Sequence, residues 1–323
     1  MSPVRLAHIL AARQRIHPYV LRTPLVHSPW LSAAAGATVR LKLESIQVTN
    51  SFKARGAVNV AAARLERPAG DPERTRLMVT ASAGNHGRAL AYAAERLGLS
   101  LVVFTPRHAP RAKLDYIVRH GADLRAIADT YEDSERLAKQ FAEDERVTYI
   151  SPYSHPDVIA GAATVALEIL EEWPEVEEIL VPVGGGGLLS GVALATKSVS
   201  SSIEVVGIEA HASPAFHTSL SAGHIVEVDV KPTLADGLAG NMDPDTITFD
   251  FVRRLVDRIE LVDEREIEDA IRGLVAHEHL IAEGAGAVAV AAAARTVRPT
   301  HRNVAVIVTG SNIDSARLAR LLA

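Results

Sequence analysis

Short apolar runs alternate with helix-patterned segments along this chain, and that alternation limits the folds open to it more than any other feature. The runs are TVRLKLE (38–44), RLMVTAS (76–82), SLVVFTP (100–106), VTYISPY (147–153), EILVPVG (178–184), IEVVGIEA (203–210) and NVAVIVTG (303–310). Several are nearly all apolar, which predicts strands covered on both faces. Helical patterns such as HGRALAYAAERLG (86–98) and SERLAKQFAEDE (134–145) lie between them. The alternation predicts an α/β protein with parallel sheets and helices on both sides. Two linker-like stretches, ERPAGDPERT (66–75) and the neighbourhood of SHPD (154–157), bracket a segment with strand-helix repeats of its own. A smaller α/β domain over 69–148 is therefore expected, inserted into a larger one formed by 1–68 and 149–323.

Composition narrows the chemistry. The 323 residues include no cysteine, so disulfides, thiolate catalysis and Cys-ligated zinc are excluded. The net charge of -5, without any run of like charges, argues against a nucleic-acid surface or a membrane-surface helix. The alanine-rich stretch 285–295 falls short of the roughly 18 apolar residues of a membrane span. The N-terminal MSPVRLAHILAARQRIHPYVL lacks the basic, apolar and small-residue regions of a secretory leader, so a cytoplasmic protein is expected.

Ligands in open α/β sheets bind beyond the carboxyl ends of strands, and four unusual segments fall there. They are Ser51-Phe52-Lys53, Ser82-Ala83-Gly84-Asn85-His86-Gly87, Gly184-Gly185-Gly186-Gly187-Leu188 and Thr309-Gly310-Ser311-Asn312. A tight strand-to-helix turn needs one or two glycines. Four in a row leave backbone N–H groups free to surround an anion at a helix N-terminus. The dinucleotide fingerprint fails because Leu189 stands where a glycine is needed, and no Gly-Lys-Ser/Thr of a Walker loop follows. A phosphate that belongs to neither NAD nor ATP is implied.

Lys53 is the odd lysine among six. It follows Ser51 and Phe52 at a predicted helix start, where the macrodipole disfavours a cation. Lys42, by contrast, alternates with Leu41 and Leu43 as the exposed residue of a strand would. Lys53 reads either as a surface lysine paired with a carboxylate or as an amine of lowered pKa suited to Schiff-base chemistry. Set beside a phosphate cradle, the second reading points to pyridoxal phosphate.

The segments LKLESIQVTNSFKARGA, SAGNHG, VPVGGGGLLSG, ADGLA, EGAGAVAVAA and VTGSNID then follow the order and spacing of the fold-type-II pyridoxal-phosphate enzymes. The chain most resembles their threonine/serine dehydratase and serine racemase group, from about residue 15 to the C-terminus, in its short form without a regulatory domain. The resemblance implies two open, twisted, mostly parallel sheets in a large and a small domain. It implies that Lys53 carries the cofactor as a Schiff base, that Phe52 packs beside the ring, and that Gly184 to Leu188 hold the phosphate. Asn85 would bond the 3′-oxygen of the cofactor, and Thr309 would meet the pyridine nitrogen. Ser82, Ala83, Gly84, Asn85 and His86 would hold the substrate carboxylate, with Tyr153 near the substrate. Lys53 would remove the Cα proton, and loss of the β-hydroxyl would lead to a 2-oxo acid and ammonia. A homodimer is expected, without nucleic-acid or membrane partners.

Departures from the group's patterns sort the reactions. Ala83 stands where the racemases have a second acid/base serine, which favours β-elimination from L-threonine or L-serine over racemisation. The group's divalent-cation site is matched by Glu209 and Ser213, but its third position is Ala215, so no metal is assigned. Asn50 replaces a usual glycine. Glu283, ahead of the small-residue EGAGA segment, is either an active-site carboxylate or a cap. The alternatives kept open are a dehydratase of a β-aryl serine or 3-hydroxyaspartate, a serine racemase, and a silent pyridoxal-phosphate-binding protein.

Overall fold

A computed structural model describes residues 4–71, 74–295 and 303–323, the side chains of 112 and 113 excepted. Among the described residues nine strands form two separate sheets: β1 (Leu25–His27), β2 (Thr38–Lys42), β3 (Leu77–Ala81), β4 (Ser100–Pro106), β5 (Asp123–Ala128), β6 (Glu178–Pro182), β7 (Glu204–Ala210), β8 (Arg258–Val262) and β9 (Asn303–Ile307). The larger sheet runs β1-β2-β9-β6-β7-β8 and is parallel except for the β1–β2 pair. The smaller sheet, β3-β4-β5, is wholly parallel and lies within 69–148.

The near-continuous apolar runs have the expected physical cause. Successive residues of a strand point to opposite faces, and both faces of the larger sheet are covered. Ile179, Val181, Val205, Ala305 and Ile307 join one core, and Leu180, Val206, Val304 and Val306 join the other. The first core is roofed by the helix Gly187–Val199, the second by the alanine-rich helix Gly284–Arg295. The smaller sheet shares its core with two helices: Met78, Leu101 and Val103 pack with Ala57, Val58, Val60 and Ala61 of Lys53–Glu66 and with Ala89 and Leu90 of Asn85–Leu97. The helix that begins with Lys53 thus braces the smaller sheet.

Two expectations are corrected. The run 147–153 forms no strand, only an isolated bridge between Tyr149 and Val79. Pro152 has no N–H for a ladder, and the Ser151 hydroxyl accepts the Tyr153 and Ser154 N–H groups, which turns the chain. Lys42 is not exposed. It ends β2, a strand with neighbours on both sides, and is completely buried with its Nζ 2.7 Å from Glu168 Oε2. Among the described residues no helix is long and apolar enough to cross a membrane.

Candidate active site

Lys53 opens the helix Lys53–Glu66, and its own N–H donates to the Ser51 hydroxyl at 3.2 Å. Ser51 bridges Gly310, and the Phe52 N–H donates to the Thr309 carbonyl, so this turn is tied to the segment leaving β9. The ammonium of Lys53 donates to the Pro152 carbonyl at 2.8 Å and lies 5.1 Å from the centroid of the Phe52 ring. Among the described residues no carboxylate lies within ion-pair distance of it. Burial without a counter-ion lowers its pKa from 10.5 to about 8. The surface ion-pair reading of this lysine is therefore set aside.

His86, in the first turn of Asn85–Leu97, is buried, and its Nε2 donates to the Ile150 carbonyl at 3.2 Å. Burial, reinforced by the Lys53 cation, lowers its pKa to about 3, so the ring is neutral at ordinary pH. The loop before this helix is tight. A Cβ on Gly87 would lie 2.4 Å from the Ser82 carbonyl, and the Ser82 hydroxyl accepts the Gly84 N–H at 3.2 Å. Above Gly84 and beside the half-buried Ala83 the space is open on the glycine side, with nothing within 4 Å of an added Cβ. Among the described residues the N–H groups of Asn85, His86 and Gly87 at the helix start have no acceptor.

The glycine loop follows β6 and turns into Gly187–Val199, with Gly186 at φ 82, where a side chain is strained. Its glycines answer close approaches. A Cβ on Gly185 would fall 2.2 Å from the Tyr153 ring, and one on Gly186 would fall 2.5 Å from Phe216 Cζ. Among the described residues none of the N–H groups from Gly184 to Leu188 finds an acceptor in the protein. Neighbouring free donors at a helix N-terminus suit a phosphate monoester, and an unpaired amine of lowered pKa suits an aldehyde; together they fit pyridoxal phosphate. Tyr153 is pinned at both ends, its ring on the loop and its hydroxyl accepting the Asp243 N–H at 3.1 Å.

Asn85, Glu283 and Asn312 form a chain of side-chain bonds. Asn85 Nδ2 donates to Glu283 Oε1 at 2.6 Å, and Asn312 Nδ2 donates to Asn85 Oδ1 at 2.6 Å. Glu283 directly precedes the helix Gly284–Arg295, its carbonyl accepting the Ala287 N–H, and its side chain is brought to the start of the Asn85 helix. The Thr309 hydroxyl, almost wholly buried, donates to the Ala285 carbonyl at 3.2 Å. Asn312 carried no assignment from the sequence, although the quoted VTGSNID segment contains it; a carboxamide among small residues at a strand end was the available signal.

Glu209 has another occupation. Its two oxygens accept the Phe216 and His217 N–H groups, each at 2.8 Å, at the start of the helix Ala215–Ala222. Burial raises its pKa to about 7 against the pull of those bonds. The Ser213 hydroxyl exchanges hydrogen bonds with the Gly240 backbone. Glu209 thus holds Phe216 against Gly186, a support for the loop that its place in a cation pattern does not convey.

A family model described as pyridoxal-phosphate dependent enzyme matches residues 16–310. Over 319 residues the chain is 38% identical to an L-threonine ammonia-lyase of Thermotoga maritima, covering 99% of this chain and 78% of that one. Among solved structures it is similar to the serine racemase of maize, with a TM-score of 0.89 and 32% identity over 98% of this chain and 96% of that one. It is also similar to the processed form of threonine deaminase isoform 2 from Solanum lycopersicum, with a TM-score of 0.89 and 30% identity over 98% and 91% of the two chains.

Proposed function

The chain belongs to the family of pyridoxal-phosphate dependent enzymes, and from that premise we propose that it is an ammonia-lyase converting L-threonine or L-serine to a 2-oxo acid and ammonia. One observation carries the reading: an amine without a carboxylate partner, held on the Pro152 carbonyl next to the tyrosine that packs on the glycine loop. The names of the threonine-deaminating relatives support the choice of substrate.

Bound here, pyridoxal phosphate supplies an aldehyde for amines and a ring that stabilises negative charge at Cα. The free N–H groups of Gly184 to Leu188 would hold its phosphate, and Phe52 would pack beside its ring. Asn85 would donate the second hydrogen of its NH2 to the 3′-oxygen, the first being given to Glu283. The Thr309 hydroxyl has one proton, now given to Ala285, and would have to leave that carbonyl to serve the ring nitrogen. The free N–H groups of Asn85, His86 and Gly87, with the Ser82 hydroxyl, hold the substrate carboxylate at the helix start. With a pKa of about 8, about a tenth of Lys53 is neutral at pH 7, against about one part in 2,500 for an ordinary lysine. That amine takes the Cα proton.

Ala83 separates the two reactions. Inverting Cα needs a proton donor on the face opposite the lysine, and a methyl group offers none; elimination needs no second donor. Loss of a positioned acid/base costs about 10²–10⁴-fold in rate. L-serine should therefore yield pyruvate faster than D-serine by about that factor, and Ala83→Ser should raise the D-serine share while elimination continues. Chiral chromatography with a 2-oxo acid assay reads both. D-serine and pyruvate at comparable rates make the protein a racemase, and no turnover of any β-hydroxyamino acid leaves a silent binder.

The same reading takes 1–68 and 149–323 as the cofactor-binding domain, 69–148 as the smaller one, and a two-fold homodimer as the working assembly. A monomer mass alone in light scattering contradicts the dimer.

A further inference from the structure

An amide can present either end to a neighbour, so Asn85 can serve as donor or acceptor depending on which way it is turned. Its surroundings remove the choice. At one end of the bonded chain stands the Thr49 carbonyl, which only accepts. Asn312 Nδ2 donates to it at 3.0 Å, which fixes the NH2 end of Asn312 there. The second hydrogen of that NH2 goes to Asn85 Oδ1 at 2.6 Å. With its oxygen occupied, Asn85 turns its own NH2 the other way, toward Glu283 Oε1 at 2.6 Å. An ionised carboxylate also only accepts. The Thr49 carbonyl cannot change character, and it sets both amides in turn. Reversing Asn312 sets oxygen against the Thr49 carbonyl, and reversing Asn85 sets NH2 against NH2 on one side and oxygen against carboxylate on the other.

We propose that Asn312 is a positioning residue that locks the Asn85 amide as a hydrogen-bond donor toward the cofactor oxygen. The inference rests on the reading above, in which Asn85 meets the 3′-oxygen of pyridoxal phosphate. A donor at that oxygen favours its anion over its hydroxyl form. Asn312 thus acts on the protonation of the cofactor through Asn85. The anchor of the arrangement is a main-chain carbonyl at Thr49, next to Asn50. Asn50 is held in the left-handed region at φ 58, and its own carbonyl accepts the Ser311 N–H. The turn carrying the lysine and the turn carrying Asn312 are thereby built as one piece.

The test uses the holoenzyme with Asn85→Ala, Asn312→Ala and the double variant. The readouts are cofactor dissociation by equilibrium dialysis and the pH titration of the cofactor absorption bands. Leaving a polar group without its partner costs about 5- to 150-fold in an equilibrium constant. Each single change should weaken cofactor binding within that range and shift the absorbance titration to higher pH, because the anion has lost its donor. The double variant should be no worse than Asn85→Ala alone. Multiplying costs, or an unaltered spectrum in Asn312→Ala, overturn the inference. Asn312→Asp covers the case in which the alanine variant does not fold. It conserves volume but has no N–H, so Asn85 should turn its NH2 toward it and give the same spectral shift; an unshifted spectrum overturns the inference equally. If Asn85→Ala itself leaves affinity and spectrum unaltered, the assignment of Asn85 falls instead.

Discussion

Lys42 and Lys53 are both withdrawn from water, and they have opposite companions. Lys42 ends β2 with its ammonium 2.7 Å from Glu168 and 2.6 Å from the Thr23 carbonyl. Glu168 also takes two bonds from Arg55, and Arg55 grips Glu44 with two more. Two cations and two carboxylates are enclosed together. Lys53 has a carbonyl oxygen and a phenyl ring. Enclosed with carboxylates, a lysine is part of an ion cluster; enclosed with neutral groups, it is driven toward the amine, which can react. The partner, more than the burial, decides what the residue is for. The two sites are also joined, since Arg55 lies in the first turn of the helix that Lys53 begins.

The largest effect on this contrast should come from Arg55→Met. Burial opposes the charge on Glu44, yet Arg55 prevails and holds that carboxylate below its ordinary range. Without the guanidinium, two buried carboxylates face the single ammonium of Lys42. Breaking a buried pair by removing one partner costs about 3–5 kcal/mol. Urea unfolding should show a loss of at least that order. A loss below about 1 kcal/mol would mean that the carboxylates simply protonate, and that the cluster does not brace the lysine-bearing helix.

The contrast also shows what a sequence can carry. The glycine loop and Lys53 were legible because each breaks a local rule: four glycines exceed what a turn needs, and a cation at a helix start opposes the dipole. Asn50 makes sense once its φ of 58 is known, since asparagine tolerates the left-handed region that a glycine would otherwise fill. Lys42 misled because alternation on a strand assumes that one face is wet, and its partner Glu168 comes from a distant helix. Strands β5 and β8 escaped notice because charged residues interrupt them, Asp123 and Arg125 in one and Arg258 and Glu260 in the other, as edge positions permit. The Pro152 carbonyl that holds Lys53 is main chain and leaves no signal in any side chain.

A smaller effect, of opposite sign, should follow from Lys53→Met, measured against Lys42→Met in protein freed of cofactor. The native pKa of Lys53 is lowered to about 8 from the 10.5 of the unfolded chain. Below pH 8 both states carry the proton, and the native state bears the full cost of a buried cation. Between 8 and 10.5 the native state has released a proton that the unfolded state keeps, so stability rises with pH there. Above 10.5 the cost is gone. At 1.36 kcal/mol per unit, and discounted because Lys53 is only half-buried, it amounts to about 1–3 kcal/mol. Lys53→Met should therefore unfold at higher urea than the parent at pH 7, and the gain should close as pH climbs from 8 to 10.5. Lys42→Met should lose stability at pH 7, because Glu168 keeps its burial and gives up one of its two cations. If Lys53→Met is no more stable than the parent at pH 7, or its advantage does not change with pH, Lys53 is not a suppressed cation, and its resemblance to Lys42 is closer than the bonding around the two suggests.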